Sequence, residues 1–384
     1  MTDIPAQASL SDKRTKTGYN IDLSRVKKHL NKFKRKMMAR HLWLVRLVVL
    51  LGAVVVLLGA LAVSFQAIRG TRLSEYGDMA GSFLFLPNDK VKTREDRTNI
   101  VLMGMSGGTP ENPRLADSLI FMSINHESSR VDMISIPRDI WVPELHDKIN
   151  STYFHGNESG VGGGMLLTKS IVEEVVGQPV HYTLAIEFDG FVEVIDQLGG
   201  VTIDVERSFT DKRFPVPGRE DDDCGDTLVE EEAPEFACRY ETVSFEKGVQ
   251  RMDGTTALKY ARSRQSEDEV EGNDLARAAR QQKVLVAMKD EVLKGSNLLF
   301  PRKILALWNT FWKITETDLD KSQMAYIVRL LYDSRNDITS HILPEEMLDN
   351  PPYSSDYDFL FVFLPAAGDW SQVHDWVDGV LAGD

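Results

Sequence analysis

Nineteen consecutive residues without a charge or a proline, Leu47 to Phe65, divide this chain before any of it can fold. As an α-helix such a run extends roughly 28 Å at about 1.5 Å per residue, close to the apolar thickness of a bilayer. Lys27, Lys28, Lys32, Lys34, Arg35, Lys36, Arg40 and Arg46 precede it, and only Arg69 and Arg72 follow closely. The positive-inside rule then keeps the N-terminus in the cytoplasm and sends the body outside. Ala60-Leu61-Ala62 resembles a signal-peptide cleavage site, but the apolar run is long and the basic head exceeds a usual n-region. We therefore expect an uncleaved single-pass anchor at 47–66, a basic cytoplasmic segment at 1–46 and a linker at 67–94.

Charge agrees with that division. Residues 1–46 hold 12 Lys and Arg against 3 Asp and Glu, or +9, within a chain of net charge −14. The remainder carries −23. A basic head abutting an apolar run, with no helix-turn-helix or zinc pattern, argues for topology and against a nucleic-acid partner. With 384 residues, 42% of them hydrophobic, the chain can bury a large core. Cys224 and Cys238 are the only cysteines, in an acidic loop expected outside the membrane. Joined, they would close a loop of about 15 residues, worth roughly 3 kcal/mol; the alternative is two unpaired thiols.

Beyond the linker, apolar runs and breakers alternate. Asn99–Met103, Ser118–Ile124, Val131–Ile136, Tyr182–Ile186 and Val201–Val205 read as strands. Leu166–Val176, Phe188–Leu198 and Asp274–Leu293 read as helices, the first two ending at glycine. Gly162-Gly163-Gly164 reads as a flexible loop, and 207–245 as a long acidic surface excursion. Residues 295–384 form a C-terminal extension with helices around Ile304–Trp312 and Gln323–Leu331, a strand around Phe359–Leu364 and a last helix from Ser371. The alternation defines an α/β chain, an α-β-α sandwich on a central mixed sheet preceded by one transmembrane helix.

Two strings place arginine at or just past an apolar run: Ile134-Ser-Ile-Pro-Arg-Asp139 and Tyr260-Ala-Arg-Ser-Arg264. The guanidinium fork suits paired hydrogen bonds to phosphate, and three such groups together would neutralise a diphosphate. Taken alone, each residue has a plainer role. Arg138 can pair with a surface carboxylate, Asp139 can brace a turn, Asp117 can be an ordinary strand-end carboxylate, and Asp274 can cap its helix. Arg262 and Arg264, two apart in a strand, would share a face. Arg277 and Gln281, three and seven residues beyond Asp274, would share a helix face with it. His126, His155 and His181 lack metal-ligand spacing.

In order, Asn99-Ile-Val-Leu-Met-Gly104, Ala116-Asp-Ser118, Ser135-Ile-Pro-Arg-Asp139, Lys148-Ile-Asn150, Phe188-Asp-Gly-Phe191, Asp196-Gln-Leu-Gly-Gly-Val201, Met252-Asp-Gly254, Ala257–Arg264 and Asp274-Leu-Ala-Arg277 with Arg280-Gln-Gln282 make a recognisable set. The chain resembles the LytR-CpsA-Psr family of cell-envelope proteins over about residues 95–294. The resemblance implies a membrane-tethered phosphotransferase. Such an enzyme moves a glycopolymer from a polyprenyl diphosphate carrier to a cell-wall hydroxyl, with the carrier's tail in an apolar tunnel. It implies diphosphate binding by Arg138, Arg262 and Arg264, a metal carboxylate at Asp117 for Mg²⁺ or Mn²⁺, and an acceptor-orienting or proton-accepting Asp274. Arg277 and Gln281 would bind substrate beside it. Catalysis by Arg138, Arg262, Arg264 and Asp274 would take place on the extracellular side of the cell membrane.

Two positions depart from the family pattern. Ser106 stands where an Asp is common, and Leu115 where an Arg is common, with Arg114 adjacent. Glu111 or water is left to complete a metal shell. The same residues would also serve a polyprenyl-diphosphate phosphohydrolase, in which water replaces the hydroxyl, or a non-catalytic envelope lipid-binding or regulatory protein.

Overall fold

A computed structural model describes residues 91–106, 114–219, 222–224, 236–268, 270–294 and 301–383, with the isolated positions 27–28, 31–32 and 81. The expected anchor at 47–66 and Glu111 lie outside the described residues. Among the described residues no helix is long and apolar enough to cross a membrane.

Strands β1 (Arg97–Met105), β2 (Ala116–Asn125) and β3 (Arg130–Ile136) form an antiparallel meander. Short pairs follow at β4 (Trp141–Val142) and β5 (Asp147–Lys148), then helices α1 (Thr152–Glu158) and α2 (Gly163–Val176). Next come β6 (Tyr182–Glu187), α3 (Phe188–Leu198), β7 (Val201–Val205), β8 (Phe209–Pro215), β9 (Tyr240–Phe245) and β10 (Gly248–Met252). Helices α4 (Gly254–Arg262), α5 (Asp274–Leu293) and α6 (Pro301–Ile314) precede β11 (Thr315–Thr317), α7 (Lys321–Asp333) and β12 (Ile338–Ile342). The chain closes with β13 (Leu348–Asp349), β14 (Leu364–Pro365) and α8 (Ser371–Ala382).

The central sheet has six strands in the order β11-β6-β1-β2-β3-β12 and is mixed: β6 runs parallel to β1, β12 parallel to β3, and the other pairs are antiparallel. Alternation along each strand sorts side chains to two faces. Val101, Met103, Phe121 and Ile134 pack against Ile171, Val172 and Val175 of α2 and Val373 and Val377 of α8. Ile100, Ile120, Met122 and Met133 pack against Met324, Ile327 and Leu330 of α7, with α5 and α6 alongside. A third core joins β7–β10 to α3, α4 and α5. Both edge strands of the central sheet come from beyond residue 294, so the stretch expected as an extension completes the sandwich.

Several local expectations are corrected. The glycine run is no loop: α2 starts at Gly163, and a Cβ on Gly163 or Gly164 would collide with the carbonyl of Gly156 or Tyr153 in α1. Glycine serves close helix approach there. The acidic excursion contains the β8–β9 hairpin, held by Phe209, Phe214, Val243 and Phe245, whose alternation is masked by the charges around them. Cys224 and Cys238 are disulfide-bonded. The strand expected at 359–364 reduces to a bridge at Phe363 and the two-residue β14, because Asp358 and Phe359 both take positive φ. Arg262 and Arg264 do not share a strand, since Arg262 ends α4.

Candidate active site

Pro137 lacks an N–H and ends β3, so Arg138 stands in the turn just past the sheet. Its Nη1 donates to Asp117 Oδ1 at 2.7 Å, at the opening of the neighbouring β2. Asp139, 4% exposed, accepts from Lys148 Nζ at 2.6 Å and thereby braces the turn. Arg138 Nε is buried, lies 3.5 Å from Asp139 Oδ2 and makes no hydrogen bond among the described residues.

The second wall of the cleft is the first two turns of α5. Asn273, not Asp274, caps this helix, accepting from Ala276 N at 2.8 Å. Asp274 is thereby the first helical residue, and Asp274, Arg277 and Gln281 line the cleft together with Asp117 and Arg138. Arg277 Nη1 lies 2.9 Å from Asp274 Oδ1, an atom that is buried and makes no aligned hydrogen bond. Gln281 Oε1 accepts from Ser118 Oγ at 2.8 Å. Leu119, Ile136, Leu343, Leu348 and Phe363 make the apolar side. The positive end of the α5 dipole belongs to the same wall and favours an anion.

The two cleft arginines differ electrostatically. Burial opposes the charge on Arg138, but Asp117, Asp139 and Asp274 outweigh it and raise its pKa. Burial also opposes the charge on Arg277, and there Asp274 does not compensate; with Arg138 and Arg264 adding repulsion, its pKa is brought down to about 10. Arg277 is thus a buried cation, paired with Asp274 at 2.9 Å, whose charge burial opposes.

Arg262 and Arg264 are not in the lining of this cleft. The Arg262 guanidinium stacks 4.5 Å over the Phe188 ring. Phe188 lies against Gly104, which pairs with Ser118 beside Asp117. Arg264 is exposed, and its charge reaches Arg277. Two residues to which the sequence assigned no site role hold this arginine-bearing segment: buried Asp211 from β8 and buried Arg280 from α5. Arg280 was visible as an arginine near the α5 start, but nothing in the sequence shows that it faces inward; Asp211 had no local signal at all.

The departures from the family pattern also have structural consequences. Ser106 N and Oγ both donate to the Leu115 carbonyl, at 3.0 and 3.2 Å. Arg114 is engaged by Glu187 at 2.7 Å and Glu316 at 2.8 Å, with Tyr153 below it, so it does not replace the arginine absent at 115. For a metal, Asp117 offers a hard oxygen donor in the cleft, its side chain 20% exposed. Mg²⁺ is commonly held by one or two carboxylates, substrate phosphates and water, and the donor chemistry fits that mode. Among the described residues the one trio of metal-type side chains is Asp222, Cys224 and Cys238, whose sulfurs are committed to the disulfide.

The fold is thus a mixed α/β sandwich with an arginine- and carboxylate-lined cleft formed by β2, β3 and the start of α5. The LytR_cpsA_psr family model matches residues 81–360, and the chain belongs to that family. It is 28% identical over 249 residues to a polyisoprenyl-teichoic acid–peptidoglycan teichoic acid transferase, TagU, of Oceanobacillus iheyensis, an alignment covering 64% of this chain and 66% of that protein. Against TagU of Bacillus subtilis the identity is 26% over 254 residues, covering 65% and 69%. The crystal structure of B. subtilis TagV superposes with a TM-score of 0.52 at 22% identity, over 76% of this chain and 99% of that one, a likeness of fold.

Proposed function

We propose that this chain is a membrane-anchored phosphotransferase that moves a glycopolymer from a polyprenyl diphosphate carrier to a hydroxyl of the cell wall. The observation carrying this is the convergence of Asp117, Arg138, Asp274 and Arg277 on one cleft, where Arg138 Nε is buried without a hydrogen bond among the described residues. The names of the relatives supply the substrate class.

The acceptor oxygen attacks the sugar-side phosphorus, the bond from that phosphorus to the bridging oxygen breaks, and polyprenyl phosphate leaves. Arg138, Arg277 and Arg264 neutralise the charge carried by the leaving group, the main task in phosphoryl transfer. Asp274, its side chain 41% exposed, orients the hydroxyl and takes its proton. Mg²⁺ or Mn²⁺ held by Asp117 would add charge neutralisation on the phosphates. Leu119, Ile136, Leu343, Leu348 and Phe363 offer the first isoprene units an apolar surface. Residues 47–66 anchor the protein, with 1–46 in the cytoplasm and the cleft outside.

The test uses the full chain in detergent with a synthetic polyprenyl diphosphate-linked glycan, with and without wall polymer. Glycan–phosphate–wall product should form only with acceptor, in step with release of polyprenyl monophosphate. Sugar phosphate released at the same rate without acceptor would make the protein a phosphohydrolase. Carrier bound but unchanged in both reactions would make it a lipid-binding protein.

A further inference from the structure

The segment bearing Arg262 and Arg264 is gripped from two sides by groups that contribute nothing else to the cleft. Asp211, 1% exposed, accepts through Oδ2 from Ser263 Oγ at 2.7 Å, Arg264 N at 3.1 Å and Gln265 N at 3.1 Å. Its Oδ1 accepts from Arg213 N at 2.9 Å. On the other side Arg280, 2% exposed, donates to the Tyr260 carbonyl at 3.0 Å and to the Ser263 carbonyl. Arg280 is itself fixed by Glu271 at 2.5 Å and stacks 4.7 Å over the Phe209 ring.

The position of Asp211 is a product of the β8–β9 hairpin. Pairing slips between Asp211, which faces Val243, and Phe214, which faces Glu241, a bulge that bends the strand just past Asp211. Asp211 pairs with Val243 and also bridges to Ser266, beyond the arginine segment. A buried carboxylate adds little net stability over apolar packing. Four donors converging on it fix backbone, and the backbone fixed here is that of Arg264.

We infer that Asp211 is a positioning residue: from the hairpin bulge it sets the backbone of residues 263–265 so that Arg264 bears on the diphosphate beside Arg277. The inference deepens the proposed function and rests on the cleft being a diphosphate site. It makes the acidic insertion, otherwise remote from the cleft, part of the machinery that binds the carrier.

The test is titration calorimetry of the full chain with farnesyl diphosphate and Mg²⁺. Arg264→Ala should weaken binding roughly tenfold, the scale of a lost charge-assisted contact. Asp211→Asn, which turns two acceptor sites into donors, should weaken it to a similar degree. In the Arg264→Ala background Asp211→Asn should cost nothing further, because both act through one guanidinium. If Asp211→Asn does not fold, Ser263→Ala removes a single bond and should give a smaller loss, again only when Arg264 is present. Unchanged affinity, or an equal loss with and without Arg264, would overturn the positioning role and leave Asp211 as a fold element. Arg138→Ala is the control for the site itself: undiminished binding there would remove the diphosphate reading, and this inference with it.

Discussion

At the start of β3, Asp132 has no exposed surface and accepts from Arg97 Nη1 at 3.2 Å, Arg130 Nε at 2.8 Å and Thr339 Oγ1 at 2.6 Å. The same two arginines donate onward to the Leu381 and Val380 carbonyls, so their charge also meets the negative end of α8. Just past the end of that strand, Arg138 meets Asp117 with one bond made and its Nε idle. Both ends of the strand thus carry arginine against aspartate. At the first, apart from His341 Nε2, the buried polar atoms around the cluster are hydrogen-bonded among the described residues; at the second, Arg138 Nε and Asp274 Oδ1 are buried beside charged neighbours but without an aligned hydrogen bond. Buried polar groups are ordinarily hydrogen-bonded, so the difference separates a clasp from a binding site.

The comparison breaks most visibly if the clasp is cut. Asp132→Ala leaves two guanidinium groups partly buried without their carboxylate, and chemical denaturation should show a loss of about 3–5 kcal/mol; a loss under 1 kcal/mol would mean that the start of β3 is as tolerant as a surface. At the cleft the signature should invert. Arg138→Ala should lower transfer turnover roughly 10²- to 10³-fold, the scale of removing one preorganised donor to a charged transition state, with little change in unfolding midpoint. A large drop in stability with turnover preserved would make Arg138 a second clasp.

The smallest effect is a pH dependence confined to the clasp end. Burial, helped by Lys92 and Lys169, brings the His181 pKa down from 6.5 to about 4, while its Nδ1 accepts from Asn99 N near the start of β1. Below pH 6.5 the unfolded chain takes up a proton that the folded chain refuses until about pH 4. Stability from this group is therefore full above 6.5 and declines as pH falls through that window, by at most about 1.4 kcal/mol per pH unit. His181→Gln, which can still accept from Asn99 N, should flatten the slope between pH 6.5 and 4 relative to the parent; an identical slope would place the titration elsewhere.

Local pattern carried much of this protein. β7, α3 and α5 fall where apolar periodicity put them, because their burial repeats every two or three to four residues and their ends carry glycine or a capping residue. The common face of Asp274, Arg277 and Gln281 follows from helical spacing alone. Other features were invisible for identifiable reasons. The β8–β9 hairpin is apolar on one face only and embedded in acidic residues. The strand character assumed for Arg262 and Arg264 gave way to α4, because Asp253 caps a helix there by accepting from Thr256 N.

By itself, then, the sequence determined elements such as β7, α3 and α5, the place of Arg138 just past a strand end, and the family that the motif order resembles. Each element and each motif depends on neighbours within a few residues. Only the tertiary structure decided which arginines are satisfied and which are left wanting, that β11 and β12 complete the sheet from beyond residue 294, and that Asp211 reaches Arg264 across 53 positions. Electrostatic neutralisation and hydrogen-bond satisfaction depend on distance in space, and spacing along the chain does not encode that distance.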